Sequence, residues 1–229
     1  MGILRIDEQK IKGTAISGSI LFLIASTLCI LLPDFPKLVA IPVSILTLLS
    51  LWLCPWQMTL AFLFSTLGDY FGACGNMMAQ MGCFAVAHIW FIVFFIGRYI
   101  KKVEHDKKLT LKAKGYLAVI IFCTAALATI SFAKIVPEIE SGIMKAGVSI
   151  YTCLIALMML SALLQRSSIY AIGSILFVFS DFIIAWNTFV EKIPYSGYLI
   201  IIPYFLAQWL LFIRATPLRV APEKRLLRF

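Results

Sequence analysis

The chain has 229 residues, of which 62% are hydrophobic and only 14% are charged, and its mean hydropathy is +0.97. Soluble domains carry roughly a quarter charged residues, so this composition excludes a water-soluble domain and a disordered tail. The formal net charge of +9 does not indicate a nucleic-acid partner, because basic residues beside apolar spans follow the positive-inside rule. The sequence predicts an all-α, polytopic integral membrane protein whose surroundings are the lipid bilayer.

Eight long apolar runs, separated by turn signals, predict eight transmembrane helices. A bilayer span needs about 20 residues, so eight spans occupy most of the chain, and we expect a single transmembrane domain over residues 1–229. The predicted spans are Ala15–Leu32, Lys37–Leu53, Gln57–Ala73, Met77–Gly97, Gly115–Phe132, Met144–Leu164, Ser168–Asn187 and Pro194–Ile213. Several of the breaks between them are so short that neighbouring helices must be antiparallel.

Basic residues lie mainly on one side of the predicted bundle. Most of the 20 lysines and arginines fall in the N-terminus, the even-numbered loops and the C-terminus, above all in the loop Arg98–Lys114. The positive-inside rule therefore predicts that both termini are cytoplasmic, and topological anchoring is the simplest role for this loop. The first span follows Arg5, Lys10 and Lys12 without a convincing cleavage site. We expect a retained helix in a bacterial inner membrane or an equivalent endomembrane.

Of the acidic residues only Asp69 and Asp181 lie inside the predicted spans, and of the two histidines only His88 does. A charged side chain at the bilayer centre costs roughly 2.5–3.5 kcal/mol on an insertion scale, so such residues face the bundle interior and usually mark function. The predicted orientation places both aspartates toward the outer half of the bilayer and His88 near the middle of an antiparallel neighbour. The three groups could therefore share one layer of a pocket. A structural hydrogen bond to a neighbouring helix is the alternative for either aspartate.

Helical spacing places further side chains on shared faces. One face carries Ser65, Asp69, Gly72 and Asn76, a second carries Phe84, His88, Phe91 and Phe95, and a third carries Tyr204 and Gln208. The phenylalanines are more typical of packing than of a ligand wall. The polar members of these faces are candidate substrate contacts, namely Ser65, Asn76, Tyr204 and Gln208.

Two carboxyl groups removed from water suggest three kinds of chemistry. Close together, they can hold one proton between them at neutral pH, one acting as acid and the other as base or charge stabiliser. This equipment suits cleavage of acetal-like C–O bonds through an oxocarbenium-like state, a proton relay in a transporter, or an intramembrane aspartyl protease. The six cysteines include no C-x-x-C pair, so we expect no metal site.

The two aspartate segments resemble the YhhN-like lysoplasmalogenase family of small eight-span membrane hydrolases. Ser65-Thr-Leu-Gly-Asp69 is similar to the family's S-x-x-G-D, and Gly82-Cys-Phe-Ala-Val-Ala-His88 to the stretch that opens its next span. The segment from Gly173 to Phe189 is similar to the family's G-A-x-x-F-x-x-S-D-x-x-x-A-x-N-x-F, with Ser174 in place of the alanine. The span number and the basic loop after the fourth span also agree, so the resemblance covers most of the chain.

The resemblance implies hydrolysis of the vinyl ether bond of a lysoplasmalogen, a lysophospholipid, to a fatty aldehyde and a glycerophospho-ethanolamine or -choline. Such a bond breaks when an acid protonates its β-carbon and water attacks the resulting oxocarbenium ion, which requires a well-placed carboxylic acid and a second carboxylate. We expect Asp69 and Asp181 to share these roles, in an order that the sequence leaves open. His88 would orient a carboxyl group or the water, and Asn187 would hold the headgroup or a carboxyl group. The reaction needs neither a metal nor an organic cofactor.

Two other functions remain compatible with the sequence. The main alternative is a small proton-coupled transporter or lipid channel that uses the two aspartates as a relay. An intramembrane aspartyl protease is less well supported, because only Gly68-Asp69 matches the Gly-x-Gly-Asp signature of that class and Thr66 stands at its first glycine. The sequence predicts no particular oligomeric state.

Overall fold

The computed structural model describes residues 8–32, 35–105, 111–140 and 142–216. Within these ranges the chain forms eight α-helices and two short 3₁₀ turns, Pro36–Val39 and Val136–Glu138, without a strand. The helices are α1 (Glu8–Leu31), α2 (Ala40–Leu53), α3 (Trp56–Ala73), α4 (Met77–His105), α5 (Leu111–Lys134), α6 (Ile143–Leu163), α7 (Ser168–Phe189) and α8 (Ser196–Ala215). The all-α prediction is confirmed.

Each predicted span corresponds to one helix, but seven of the described segments, not eight, are long and apolar enough to cross a membrane. The exception is α3, which carries Gln57, Ser65 and Asp69 among its apolar residues. Polar side chains of this kind are tolerated where they face the interior of a bundle, and Ser65 and Asp69 are buried. The count of eight apolar spans is therefore corrected to eight helices with seven candidate spans.

The helix ends differ from the predicted ends mainly around the basic segment. Helix α4 continues beyond the predicted end at Gly97 to His105, and α5 begins at Leu111, so most of the predicted loop Arg98–Lys114 is helical. Residues 106–110 of that loop lie outside the described residues, as do residues 1–7 and 217–229. The cytoplasmic placement of both termini stays a prediction.

Six of the helices pack in a closed ring. Helix α2 contacts α3, α3 contacts α4, α4 contacts α6, α6 contacts α7, α7 contacts α8, and α8 returns to α2 and α3. Helix α1 packs against α2 and α8, and α5 packs against α6. The face of α4 predicted from spacing points inward, because Phe84, His88, Phe91 and Phe95 are all buried. The interior of the ring is therefore filled largely by aromatic side chains.

A hydrogen bond joins α7 to α8 beside the proline in α8. Ser180 donates its hydroxyl proton to the carbonyl oxygen of Ile200 over 2.9 Å, one turn before Pro203. On the same pair of helices, Gly173 lies so close to Leu211 that a Cβ atom at that glycine would be 3.2 Å from the leucine side chain. Both features bring α7 and α8 together, and they orient the turn of α7 that carries Asp181.

Candidate active site

Asp181 lies in a cluster contributed by three helices of the ring. Tyr151 on α6 donates its hydroxyl proton to Asp181 Oδ2 over 2.6 Å. His88 on α4 has its Nε2 atom 3.3 Å from the same oxygen and 3.2 Å from the Tyr151 hydroxyl oxygen. His88 is fully buried and Asp181 is 7% exposed. One carboxylate oxygen is thus held by two neighbours, which leaves Oδ1 as the atom available to a substrate.

Asp69 lies in a second cluster, formed by α3 and α8. Tyr204 donates its hydroxyl proton to Asp69 Oδ2 over 2.9 Å, and Gln208 Nε2 donates to the Tyr204 hydroxyl oxygen over 3.1 Å. Two further buried atoms here, Ser65 Oγ and Gln208 Oε1, have no hydrogen-bond partner among the described residues. Buried polar atoms normally have a partner, frequently an ordered water. This cluster therefore has the groups needed to hold a water molecule.

The rings of Phe84 and Phe177 stand between the two clusters. Tyr204 has its ring centroid 5.8 Å from that of Phe84 and 5.5 Å from that of Phe177. The His88 ring lies on the other side, 4.9 Å from Phe177. The ring contacts from Tyr204 through Phe177 to His88 therefore link the two clusters.

Gly68 on α3 leaves the space that the Phe84 ring occupies. A Cβ atom at Gly68 would come within 2.9 Å of the Phe84 ring, and the ring contacts Phe177 and Tyr204, so it has little freedom to move. The glycine that precedes Asp69 therefore has a packing role that spacing alone did not reveal.

We expect Gly68→Ala to destabilise the protein by about 1–3 kcal/mol, as overpacking of a dense core does, and to lower its thermal unfolding midpoint in detergent. The matched control is Gly82→Ala on α4, where an added Cβ atom meets nothing within 4 Å. Equal midpoints for the two variants would contradict the packing role of Gly68.

Two small cavities reach the Asp181 cluster. One, of about 50 Å³, lies between α4, α6 and α7; the other, of about 40 Å³, lies between α5, α6 and α7. Both are lined by Asp181 and Tyr151, and otherwise mostly by apolar side chains such as Met77, Met81 and Phe189 in the first. A buried water needs at least roughly 10–15 Å³ of such space. Asp181 is therefore reachable by water and by a slender apolar group.

The structure brings some predicted site residues together and leaves others apart. Asp181 and His88 share one cluster, and Asp69, Tyr204 and Gln208 share the other. Asn76 lies beyond the end of α3 at Ala73, so it does not continue the predicted polar face of that helix; it is exposed, and its Oδ1 accepts the Ala79 backbone N–H over 3.1 Å. Asn187 Oδ1 likewise accepts the backbone N–H of Ile193 over 2.9 Å. Asn76 thus caps the start of α4, and Asn187 fixes the loop between α7 and α8.

Tyr151 is the residue that the sequence analysis missed. It stands near the middle of α6, whereas tyrosines of membrane helices are enriched at the two interfaces. A tyrosine at mid-span was the one available signal, because its hydroxyl needs a partner inside the bundle. Which group it meets depends on the packing of α6 between α4 and α7, and spacing within one helix does not show this.

These features define the class of protein. It is a polytopic helical membrane protein whose interior holds two carboxyl groups, each hydrogen-bonded to a tyrosine hydroxyl. The model of the YhhN family matches residues 36–215, and the chain belongs to this family. The resemblance seen in the aspartate segments is thereby confirmed.

Two curated relatives carry an enzyme name. The chain is 30% identical over 146 residues to the rat protein "Lysoplasmalogenase TMEM86B", covering 61% of this chain and 60% of the relative. It is 29% identical over 134 residues to the mouse protein of that name, with 56% of each chain covered. The match thus spans about 60% of the length of these relatives. No solved structure gives a significant match.

Proposed function

We propose that this protein is a membrane-embedded hydrolase that cleaves the vinyl ether bond of lysoplasmalogens, giving a fatty aldehyde and a glycerophospho-ethanolamine or -choline. Membership of the YhhN family and the name of the rat and mouse relatives support this class of reaction. The observation that carries the proposal is the pair of unlike carboxyl groups, Asp181 beside apolar cavities and Asp69 beside unpartnered polar atoms. Vinyl ether hydrolysis requires an acid in an apolar setting and a carboxylate that holds water.

Asp181 is the proton donor in this proposal. With Oδ2 accepting the Tyr151 hydroxyl proton, the acidic proton resides on Oδ1 and transfers to the β-carbon of the alkenyl chain. The α-carbon becomes an oxocarbenium ion, and Asp181 becomes a carboxylate whose charge opposes that of the cation. Tyr151 and His88 are positioning residues, because they hold the carboxyl group in place through its other oxygen.

Asp69 accepts the second proton. A water held by Asp69 and by the free Ser65 and Gln208 oxygens attacks the α-carbon and gives its proton to the Asp69 carboxylate. The product of this step is a hemiacetal, which collapses as its hydroxyl proton moves to the glycerol oxygen and the C–O bond breaks. One water is consumed, an aldehyde and an alcohol leave, and transfer of a proton from Asp69 back to Asp181 through water restores both carboxyl groups. Tyr204 positions Asp69 as Tyr151 positions Asp181.

In this proposal the substrate enters through the cavity between α4, α6 and α7. Its lining is apolar apart from Gln80, Tyr151 and Asp181, which suits an alkenyl chain arriving from the bilayer. Met81 is a flexible side chain that adapts its shape, and it lies against Gly147, where a Cβ atom would come within 2.6 Å of it. Binding of a full lipid chain would widen this cavity by moving such side chains.

The test is aldehyde release from lysoplasmenyl-ethanolamine by the purified protein in nanodiscs. We expect release from the vinyl ether lipid and none from the saturated alkyl-ether lysolipid of the same headgroup, which has no double bond to protonate. If the protein releases no aldehyde across ethanolamine and choline headgroups and a range of pH, the hydrolase proposal fails. Proton-coupled uptake into liposomes would then test the two aspartates as a relay.

A further inference from the structure

A third polar cluster, distinct from those of Asp181 and Asp69, lies at the other end of the bundle from Asp181. It contains Arg98 on α4, Tyr170 in the first turn of α7 and Arg214 at the end of α8. At 1.5 Å of rise per residue, Tyr170 is about 16 Å along α7 from Asp181. Only a glycerol backbone separates the phosphate of a lysoplasmalogen from its vinyl ether bond. A substrate engaged at Asp181 does not reach this cluster, which is therefore a separate feature.

The two arginines converge on the Tyr170 ring. Arg98 has its Cζ atom 5.9 Å from the ring centroid, and Arg214 has its Cζ atom 5.6 Å away. Arg98 Nε donates to Gln165 Oε1 over 3.3 Å, and the Gln165 amide is itself fixed by the Phe95 carbonyl oxygen at 2.8 Å. These bonds hold the Arg98 guanidinium group in place beside the Tyr170 ring.

The hydroxyl group of Tyr170 has no hydrogen-bond partner among the described residues, although both arginines lie against its ring. Tyr170 is fully buried, and its hydroxyl is within electrostatic range of both guanidinium groups. The cation–π contacts stabilise the arginines and the ring, but they leave the hydroxyl proton without an acceptor. Leaving a buried donor unsatisfied is unfavourable, so this hydroxyl gains a hydrogen bond when an anion binds beside it.

The start of α7 adds further donors. Ser167 precedes the helix but makes no side-chain bond to its first turn; its Oγ instead accepts the Arg214 Nε–H over 3.2 Å. The first N–H groups of a helix and its dipole favour an anion. Topological anchoring explains basic residues at helix ends, but it gives no reason for two arginines to lie against the ring of a buried tyrosine whose hydroxyl has no partner among the described residues.

We propose that Arg98, Arg214 and Tyr170 bind a phosphate group at this end of the bundle. Guanidinium groups match phosphate oxygens in geometry and charge. The Tyr170 hydroxyl supplies one more hydrogen-bond donor. The phosphate belongs either to the headgroup of a neighbouring lipid or to a small phosphate compound in solution. The two sources share this chemistry and are separated by experiment.

The experiment measures the thermal unfolding midpoint of the full chain in a maltoside detergent, which contains no phosphate. One arm adds inorganic phosphate, a second adds phosphatidylglycerol in mixed micelles, and chloride at equal ionic strength is the blank. We expect a saturable rise in at least one of the two arms. A rise with lipid alone assigns a headgroup, and a rise with inorganic phosphate assigns a soluble ligand. No rise above the chloride blank in either arm would overturn the proposal.

Two variants distinguish specific phosphate binding at this cluster from nonspecific electrostatic attraction of the anion to basic residues. Tyr170→Phe keeps the ring and loses the unpartnered hydroxyl, so its midpoint without ligand stays equal or rises, while its apparent affinity for the active ligand falls about tenfold. Arg98→Gln weakens binding more, whereas Arg166→Gln, an exposed arginine of the adjoining loop with the same charge change, leaves it unchanged. Equal losses in Arg98→Gln and Arg166→Gln, or no loss in Tyr170→Phe, would overturn the proposal. The readout does not depend on aldehyde release.

Discussion

Replacing Asp181 by asparagine lowers aldehyde release by about 10²–10⁴-fold, the contribution expected of a positioned general acid. The asparagine side chain has the same shape and its carbonyl oxygen still accepts the Tyr151 hydroxyl proton, so the cluster around it is kept. It carries no acidic proton, and the step that protonates the β-carbon stops. The measurement is the initial rate of aldehyde formation in nanodiscs, beside the thermal unfolding midpoint of each variant.

Two companion variants sharpen the test of Asp181. Glu191→Gln makes the same kind of change at an exposed acid of the loop between α7 and α8 and is expected to retain full activity. Tyr151→Phe keeps the acid and removes its 2.6 Å hydrogen bond, so we expect a loss between those of the other two variants. Activity of a folded Asp181→Asn protein within about twofold of the wild type would rule out its role as proton donor.

The fold was predictable to the level of its helices but not of their arrangement. Apolar runs of bilayer length and short breaks gave eight antiparallel helices, since hydropathy is a property of each segment alone. The closed ring, with α6 rather than α5 next to α4, depends on which faces pack best. The loop Arg98–Lys114 was misjudged because α4 continues into it to His105. Charged residues favour a loop in a membrane sequence, yet they are good helix formers beyond the bilayer.

The candidate site was predictable at those residues whose burial in an apolar span costs free energy. Asp69, Asp181 and His88 stood out because a charged or polar residue inside an apolar span needs a reason, and the structure gives all three buried positions. The pairing of Asp181 with Tyr151 required the contact between α6 and α7. Asn76 shows the converse error: its spacing matches the polar face of α3, but the helix ends at Ala73, and a residue past the end no longer follows that spacing.

The Asp181 and Asp69 clusters contain the same kind of hydrogen bond but differ in the side chains around it. Each has a carboxylate oxygen that accepts a tyrosine hydroxyl proton, Asp181 from Tyr151 and Asp69 from Tyr204. Asp181 then faces cavities whose walls are mostly apolar, while the neighbours of Asp69 include Gln208, whose amide oxygen has no partner in the described part of the chain. An apolar cavity suits the alkenyl chain that receives the proton, and unpartnered buried oxygens suit a bound water. This difference assigns the acid and the base in our proposal.

Deuterium exchange separates the two roles most sharply. In heavy water, Asp69→Asn still protonates the alkenyl chain through Asp181, but water attack is slowed, and we expect hydrolysis to fall by about 10²–10³-fold. The cation returns to the vinyl ether when the Asp181 carboxylate removes a proton from its β-carbon, and each time the original hydrogen is the one removed, the recovered substrate carries deuterium at that carbon. Asp181→Asn cannot form the cation, and its recovered substrate stays unlabelled.

Mass spectrometry of the unreacted lipid reads this result directly as a gain of one mass unit. The saturated alkyl-ether lysolipid is the chemical control, and it stays unlabelled with every variant. If label enters the substrate in Asp181→Asn and not in Asp69→Asn, the two aspartates have the opposite roles. If neither variant nor the wild type ever labels substrate or aldehyde, the β-carbon is not protonated. The mechanism proposed for this pair of carboxyl groups would then be wrong.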